Sequence, residues 1–215
     1  MDPEFKKGLK KGLKKGLIVG LIIGLILSIP YIILSQFGIY KPAIYLYPKE
    51  PTNVSVKLIT NAAITKSIPE YTNEWLVFAT PEGKINSKYD YLYYEADAHG
   101  RIDVKDGWII EKNKIREWFN EYLPKLGLNE REKSDFMDYW LYTLPNANYY
   151  LITPLTQEEI DNLIKLEINP KPDTVIRVML YFKPLSHRIN IKEPEVSTPK
   201  REGFVVVEWG GIMDK

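Results

Sequence analysis

The sequence predicts an α+β domain, mostly an antiparallel sheet with about three helices, preceded by one N-terminal transmembrane helix. In the domain, runs with the two-residue period of strands come first, runs with the 3.6-residue period of helices follow, and strands return at the end. An uncharged stretch of eighteen residues at 17–34 predicts the membrane helix. We therefore expect a basic cytoplasmic N-terminus at 1–16, a transmembrane signal-anchor at 17–40 and an extracytoplasmic domain at 41–215.

The uncharged stretch has the length and the flanks of a membrane anchor. Eighteen helical residues span about 27 Å, close to the hydrocarbon thickness of a bilayer. No small-x-small cleavage site follows the stretch, so an uncleaved signal-anchor is favoured over a signal peptide. Six lysines precede it, against Asp2 and Glu4, and the positive-inside rule then places the N-terminus in the cytoplasm. Because the run stays uncharged to Tyr40, we expect the chain to contact the membrane over residues 17–40.

A four-residue repeat places small residues along one stripe of the predicted membrane helix. The stripe consists of Gly16, Gly20, Gly24 and Ser28. Such a track lets two helix backbones approach closely, which predicts association with a second copy of the chain or with another membrane protein. The alternative is a generic anchor, because glycine is common in membrane helices.

Composition excludes several classes of site and partner. The chain has no cysteine, which excludes disulfides, thiolate metal sites and a catalytic thiol. Its only histidines are His99 and His187, a poor supply for a Ser-His-Asp triad. Beyond residue 16 there are 23 basic and 26 acidic residues, so we expect no nucleic-acid partner.

The strands are predicted from alternation and from the turn residues between them. They cover residues 43–47, 54–58, 75–79, 89–95, 101–105, 108–110, 149–152, 175–182 and 204–209. Asp106-Gly107 is a favoured two-residue turn, which predicts a hairpin of the strands on either side of it. Residues 189–200 contain Pro194 and Pro199 and are predicted to form an extended connector.

Three helices are predicted from apolar side chains at i, i+3, i+4 and i+7. Each begins behind a side chain that can cap it: Asn113, Asn129 and Thr156. Glu132 and Glu159, three residues after the last two caps, complete capping boxes. The first helix is expected to stop at Pro124.

Four separated sequence blocks carry a resemblance to a known family. They are KPAIYLYP at 41–48, YLPKLGLNEREKSDFMDYWL at 122–141, NPKPDTVIRVMLYFKPL at 169–185 and GFVVVEWGG at 203–211. Together they resemble uncharacterised bacterial and archaeal membrane-associated proteins that begin KPxIYLYP and end in a VVEWGG-like motif. That family has no established activity, so the resemblance implies no catalytic residues. The membrane or lipoprotein leaders common in the family agree with the anchor predicted here.

Residues 95–106, which lie outside that pattern, fit part of a calcium-loop template. The oxygen donors would be Glu95, Asp97, Asp103 and Asp106, with Gly100 at the sharp turn. However, His99 would offer nitrogen instead of oxygen, and the preceding segment is predicted to be a strand. The alternative is a turn at His99-Gly100 followed by a strand and the Asp106-Gly107 hairpin. We prefer the alternative and expect no cofactor, with calcium as the competing prediction.

Two further features have both a functional and a structural interpretation. Glu208 precedes Gly210-Gly211 and could act as a general acid, or it could pair with Arg177 or Arg188 at a sheet edge. A second feature is a run of tyrosines that alternate along one predicted strand face: Tyr89, Tyr91 and Tyr93. Such rings could stack on sugars, but packing against the core is the preferred interpretation.

These observations predict a single-pass membrane protein that displays a binding or assembly domain outside the membrane. The alternative is an extracytoplasmic hydrolase that uses carboxylates, with or without a metal. Converging carboxylates in a concave pocket would favour the hydrolase. An exposed apolar or aromatic patch with a polar rim would favour the binding domain.

Overall fold

A mixed seven-stranded sheet is the centre of the fold. The computed structural model describes residues 35–100 and 102–214. In chain order the strands are β1 (Ser35–Tyr47), β2 (Thr52–Ile59), β3 (Ala63–Ile68), β4 (Trp75–Ala79), β5 (Leu92–Gly100), β6 (Trp108–Glu111), β7 (Tyr149–Pro154), β8 (Lys165–Asn169), β9 (Thr174–Leu185) and β10 (Val205–Asp214). The helices are α1 (Ile115–Lys125), α2 (Glu130–Thr143) and α3 (Gln157–Leu163), with a 3₁₀ turn, Lys112–Lys114, before α1.

The large sheet has the order β3-β5-β1-β10-β9-β7-β6, and a smaller sheet has the order β4-β2-β8. The pair β9 and β10 is parallel, whereas β1 is antiparallel to both of its neighbours, β5 and β10. Three helices with a mostly antiparallel mixed sheet confirm the predicted α+β class.

The large sheet separates two apolar cores. Helices α1 and α2 cover one face, and the small sheet with α3 covers the other. Along β1, Ala43 and Tyr45 point to the helical core, while Ile44 and Leu46 point to the core under the small sheet. Because both faces are buried, the central strands are continuous apolar runs with little alternation of polarity.

The first strand begins earlier than predicted. Residues 35–40, which we expected to end the transmembrane segment, form the first half of β1 and pair with both β5 and β10. Phe37 and Ile39 bury their side chains under the small sheet. An uncharged apolar run suits a doubly buried strand as well as a membrane helix, so the pattern could not separate the two. Residues 35–40 therefore belong to the same compact unit as the rest of the sheet.

The rest of the predicted anchor, including the glycine stripe, lies outside the described residues and stays a prediction. In the ranges 35–100 and 102–214, no helix is long and apolar enough to span a bilayer.

The predicted hairpin about Asp106-Gly107 is wrong. Strand β6 pairs with β7, and the Gly107 N–H donates to the Lys192 carbonyl at 2.9 Å. A Cβ on Gly107 would lie 2.5 Å from the Leu151 side chain, so the glycine serves close packing and not a turn. The predicted turn at His99-Gly100 is also wrong, because β5 runs through both residues.

The capping predictions had mixed outcomes. The boxes of Asn129 with Glu132 and of Thr156 with Glu159 are both formed. Asn113 instead lies inside the 3₁₀ turn, and no side chain caps α1.

Candidate functional site

The terminal-strand glutamate lies in a buried ion pair. Glu208 of β10 is fully buried on the face under the small sheet, directly opposite Arg177 of β9 in the parallel register. The Arg177 Nε donates to Glu208 Oε2 at 2.6 Å, and the Tyr94 hydroxyl donates to Oε1 at 2.8 Å. The predicted pairing with Arg177 is therefore correct. Its place is the sheet interior and not an edge, because β10 has a neighbour on each side.

The remaining donors of Arg177 connect this ion pair to the surface. Its Nη1 donates to Asp161 Oδ1 of α3 at 2.7 Å, and its Nη2 donates to the Ile164 carbonyl at 2.8 Å. Burial by itself would lower the pKa of the Arg177 guanidinium, but the nearby Glu208, Tyr94 and Asp161 raise it above its usual value. Burial, followed by the charge of Glu208, raises the pKa of Tyr94 well above its usual value, so the hydroxyl keeps its proton.

A cavity of about 410 Å³ opens beside the Arg177–Asp161 bridge. It is lined by Gln157, Asp161, Lys165, Leu166, Ile168, Lys171, Pro172, Val175 and Arg177. Most of its walls are apolar, and its lysines, Lys165 and Lys171, are exposed to solvent.

A second cavity of about 740 Å³ lies between β9 and the connector at residues 192–199. The two cavities share Gln157, Val175 and Arg177, so they adjoin along β9. We refer to the two together as the β9 cleft. The first cavity is mostly apolar with a few fixed polar groups, the usual form of a ligand site, whereas the second has a mixed polar and apolar lining.

The outer face of the small sheet is a separate exposed surface. Leu76 is 72% exposed and Phe78 is also exposed, both on edge strand β4. Asn53, Ser55 and Asn86 lie around them in a shallow depression. This is an apolar patch with a polar rim, the feature expected of a binding domain.

The residues of the predicted calcium loop are divided between a strand and an irregular segment. Glu95 and Asp97 lie in β5, while Asp103 and Asp106 follow it without regular structure. Glu95 accepts a hydrogen bond from the Tyr93 hydroxyl. Over the part of the chain that the structure describes, no group of three or more His, Asp or Glu residues is placed to hold a metal ion.

Tyrosines from distant segments surround Lys41. Lys41 lies in a β-bulge of β1 with a φ of 55°, a conformation that few side chains adopt. Its Nζ is 4.4 Å from the ring centre of Tyr93, 4.9 Å from that of Tyr91 and 5.9 Å from that of Tyr139. The Nζ also donates to the Tyr91 hydroxyl at 3.0 Å. Tyr91 and Tyr93 therefore pack around a partly buried cation, which agrees with the preferred packing interpretation. Tyr89 packs against the core under the small sheet and Tyr91 against the helical core, so the predicted shared face is wrong.

Sequence reasoning missed several members of these sites. They are Lys41, Tyr94, Tyr139 and Asp161. Each has its partner more than ten residues away along the chain, and no local pattern marks such a pairing. The two sequence blocks KPAIYLYP and VVVEWGG were the signal that could have indicated such a long-range pairing. They lie side by side as β1 and β10, with Ala43 opposite Trp209.

In comparisons with known proteins, the chain matches no protein-family model, no curated protein and no solved structure. The resemblance described above therefore stays a prediction.

Proposed function

We propose that the chain is a single-pass membrane protein whose domain faces the outside and binds a partner in the β9 cleft. The observation that carries the proposal is that the buried guanidinium of Arg177, which lines the cleft, already has its hydrogen-bond partners. Arg177 is already bonded to Glu208 and Asp161, so its buried charge is neutralised where it lines both cavities, and the walls of the first cavity are mostly apolar. Such a surface is suited to binding, because no unpaired buried charge has to be desolvated when a partner enters.

The same geometry gives less support to the hydrolase. A general acid must reach the atom that it protonates. Glu208 is fully buried and cannot offer either oxygen without losing its bond to Arg177 or to Tyr94. We therefore assign Glu208 a structural role.

The orientation of the domain is tested by labelling single cysteines, since the chain has none of its own. Tyr142, which is 92% exposed, is replaced by cysteine in one variant, and Lys10 in the other. A membrane-impermeant maleimide should label Y142C on intact cells, whereas K10C should react only after permeabilisation. The reverse pattern would refute the proposed orientation.

Binding in the cleft is tested by photocrosslinking in intact cells. A photoreactive phenylalanine analogue replaces Val175, which is 44% exposed in the cleft, or Leu76 on the small sheet as the matched exposed control. We expect a discrete adduct from position 175 that is absent from position 76. An adduct from position 76 alone would assign partner binding to the outer face of the small sheet instead.

A further inference from the structure

One edge of β9 is left without a neighbouring strand where it lines the β9 cleft. Strand β7 pairs with β9 only from Leu180 to Leu185, whereas β10 pairs with β9 from Thr174 onward along the other edge. The last main-chain bond from the β7 side runs from the Leu155 N–H to the Met179 carbonyl, at 2.9 Å. The half of β9 that precedes Met179 therefore has a partner strand on one edge only, among the described residues.

The register identifies which main-chain groups face this open edge. In a strand, the N–H and C=O groups of successive residues point alternately to the two edges. Because the Met179 carbonyl points toward β7, the main-chain groups of Arg177 and Val175 point the same way, into the second cavity. Those of Ile176 point toward β10.

Solvent exposure supports this assignment. The Arg177 side chain is only 1% exposed, yet the residue as a whole is partly exposed, so its accessible surface is main chain. An exposed strand edge is a template on which another extended chain can pair.

The connector across the second cavity does not fill this position. It contains Pro194 and Pro199, which have no N–H to donate. Within the described ranges, it forms no main-chain hydrogen bond to β9; its Lys192 carbonyl accepts from Gly107 instead. A paired strand lies about 4.8 Å from its neighbour. The second cavity is lined by Val175 and Arg177 on one side and by the connector on the other, so it adjoins this edge.

We propose that an extended segment of a partner polypeptide adds to β9 as an extra strand, bonded to the main chain of Val175 and Arg177. The walls above and below this position include Leu126, Leu155 and Ile176, which favours apolar side chains on the segment. Exposed Lys165 and Lys171 lie in the adjoining cavity, so an acidic residue is favoured at that end. This inference rests on the proposed function, since it names the partner of the β9 cleft.

The test uses a fluorescein-labelled peptide of eight residues, alternating valine and threonine after one aspartate, and the full-length chain in lipid nanodiscs. Fluorescence anisotropy measures the affinity of this peptide for the protein, and the affinities of two N-methylated versions of it. In each version, methyl groups block the amides along one edge of the peptide, so that these amides can no longer donate hydrogen bonds. Strand addition predicts that one version binds at least tenfold more weakly and that the other keeps its affinity. Equal binding of the two versions, or no binding of the parent peptide, would overturn the inference.

Protein variants give an independent readout. Val175→Pro removes an N–H that faces the cavity but leaves the bonds to β10 intact, so the domain should stay folded and lose the peptide. Leu76→Thr, at an exposed strand position outside the cleft, is the control variant and should bind as the native chain does. Peptide binding that survives Val175→Pro also contradicts strand addition. If Val175→Pro fails to fold in a thermal melt, the N-methylated peptides still decide. If position 175 forms a crosslink but the peptide tests fail, only this inference is refuted. If position 175 forms no crosslink, the proposed function is refuted as well.

Discussion

At the scale of single residues, both carboxylates that are buried in the described part of the chain, Glu132 and Glu208, are bonded to an arginine. Removing a carboxylate from water costs several kcal/mol, and in this protein Arg177 and Tyr94 offset that cost for Glu208. Arg201 does the same for buried Glu132, with bonds of 2.9 Å to both carboxylate oxygens. In each case the partner is distant in sequence, so the pairing holds two segments of the chain together.

The buried ion pair predicts a clear mutational pattern. Glu208→Gln should lower the free energy of unfolding by about 3–5 kcal/mol, because Arg177 loses its fully buried counter-ion. Tyr94→Phe, which removes one hydrogen bond to the same charged carboxylate, should cost less, about 1.5–3 kcal/mol. Urea unfolding measures both variants.

The double variant Glu208→Met with Arg177→Met is the control, because it removes both charges together. We expect it to recover most of the stability lost in Glu208→Gln. A double variant as unstable as the single one would show that the loss comes from packing and not from the unpaired charge.

At the scale of elements, local side chains fix the starts of α2 and α3. Helix α3 has only seven residues, and it positions Asp161 on Arg177 beside the β9 cleft. A helix this short has little stability of its own, so its cap and its packing determine whether it forms.

Thr156→Ala should therefore lower the free energy of unfolding by about 1 kcal/mol, since Thr156 accepts the Glu159 N–H. Thr156→Ser keeps the accepting hydroxyl and is the matched control. Denaturant unfolding distinguishes the two variants, and an equal loss in both would assign the effect to the lost methyl group.

A second element-scale prediction concerns acid. Asp90 is bonded to Lys84 and paired with Arg131 of α2; these contacts lower the pKa of its carboxyl, although partial burial opposes them. A lowered pKa stabilises the fold above the ordinary aspartate range, and this stabilisation is lost as the pH falls through the lowered value. The Asp90 side chain is 45% exposed, so the contribution stays below about 1 kcal/mol.

Asp90→Asn should lower the melting temperature at pH 7, and the difference should be smaller at about pH 2, because protonation of the Asp90 carboxyl in acid removes its ion pairs. Thermal melts at the two pH values measure the change. Asp138→Asn, at an exposed position on α2, is the control variant. A melting difference for Asp90→Asn that is equally large in acid would contradict the ion-pair explanation.

At the scale of the whole molecule, the first and last strands of the domain form the middle of the large sheet. Strands β1 and β10 are neighbours, so the sheet is complete only when both ends of the domain are in place. The first six residues of β1 contribute hydrogen bonds to two strands and two buried side chains, Phe37 and Ile39.

A fragment of residues 35–215 should therefore be more stable than one of residues 41–215. Loss of Phe37 and Ile39 alone removes two buried side chains, each worth about 1.5–3 kcal/mol. Urea unfolding of the two fragments measures the difference. Equal midpoints would show that β1 is needed only from Lys41 onward.

The sequence by itself determined the α+β class, the capping boxes of α2 and α3, and the strands β2, β4 and β7. Each of these depends on local physics: the period of apolar residues, or a side chain that bonds its own helix start. The Glu208–Arg177 pair was one of two alternatives that the sequence had left open for Glu208.

Only the tertiary structure decided the rest. It placed residues 35–40 in β1, paired β6 with β7 and brought three tyrosines around Lys41. It also left the first half of one edge of β9 without a neighbouring strand among residues 35–100 and 102–214. These features depend on which segments become neighbours in space. The periodicity of apolar residues indicates only that a segment is buried, and not which segment lies beside it. An uncharged run is equally stable in lipid or in a doubly covered sheet, because both environments exclude water.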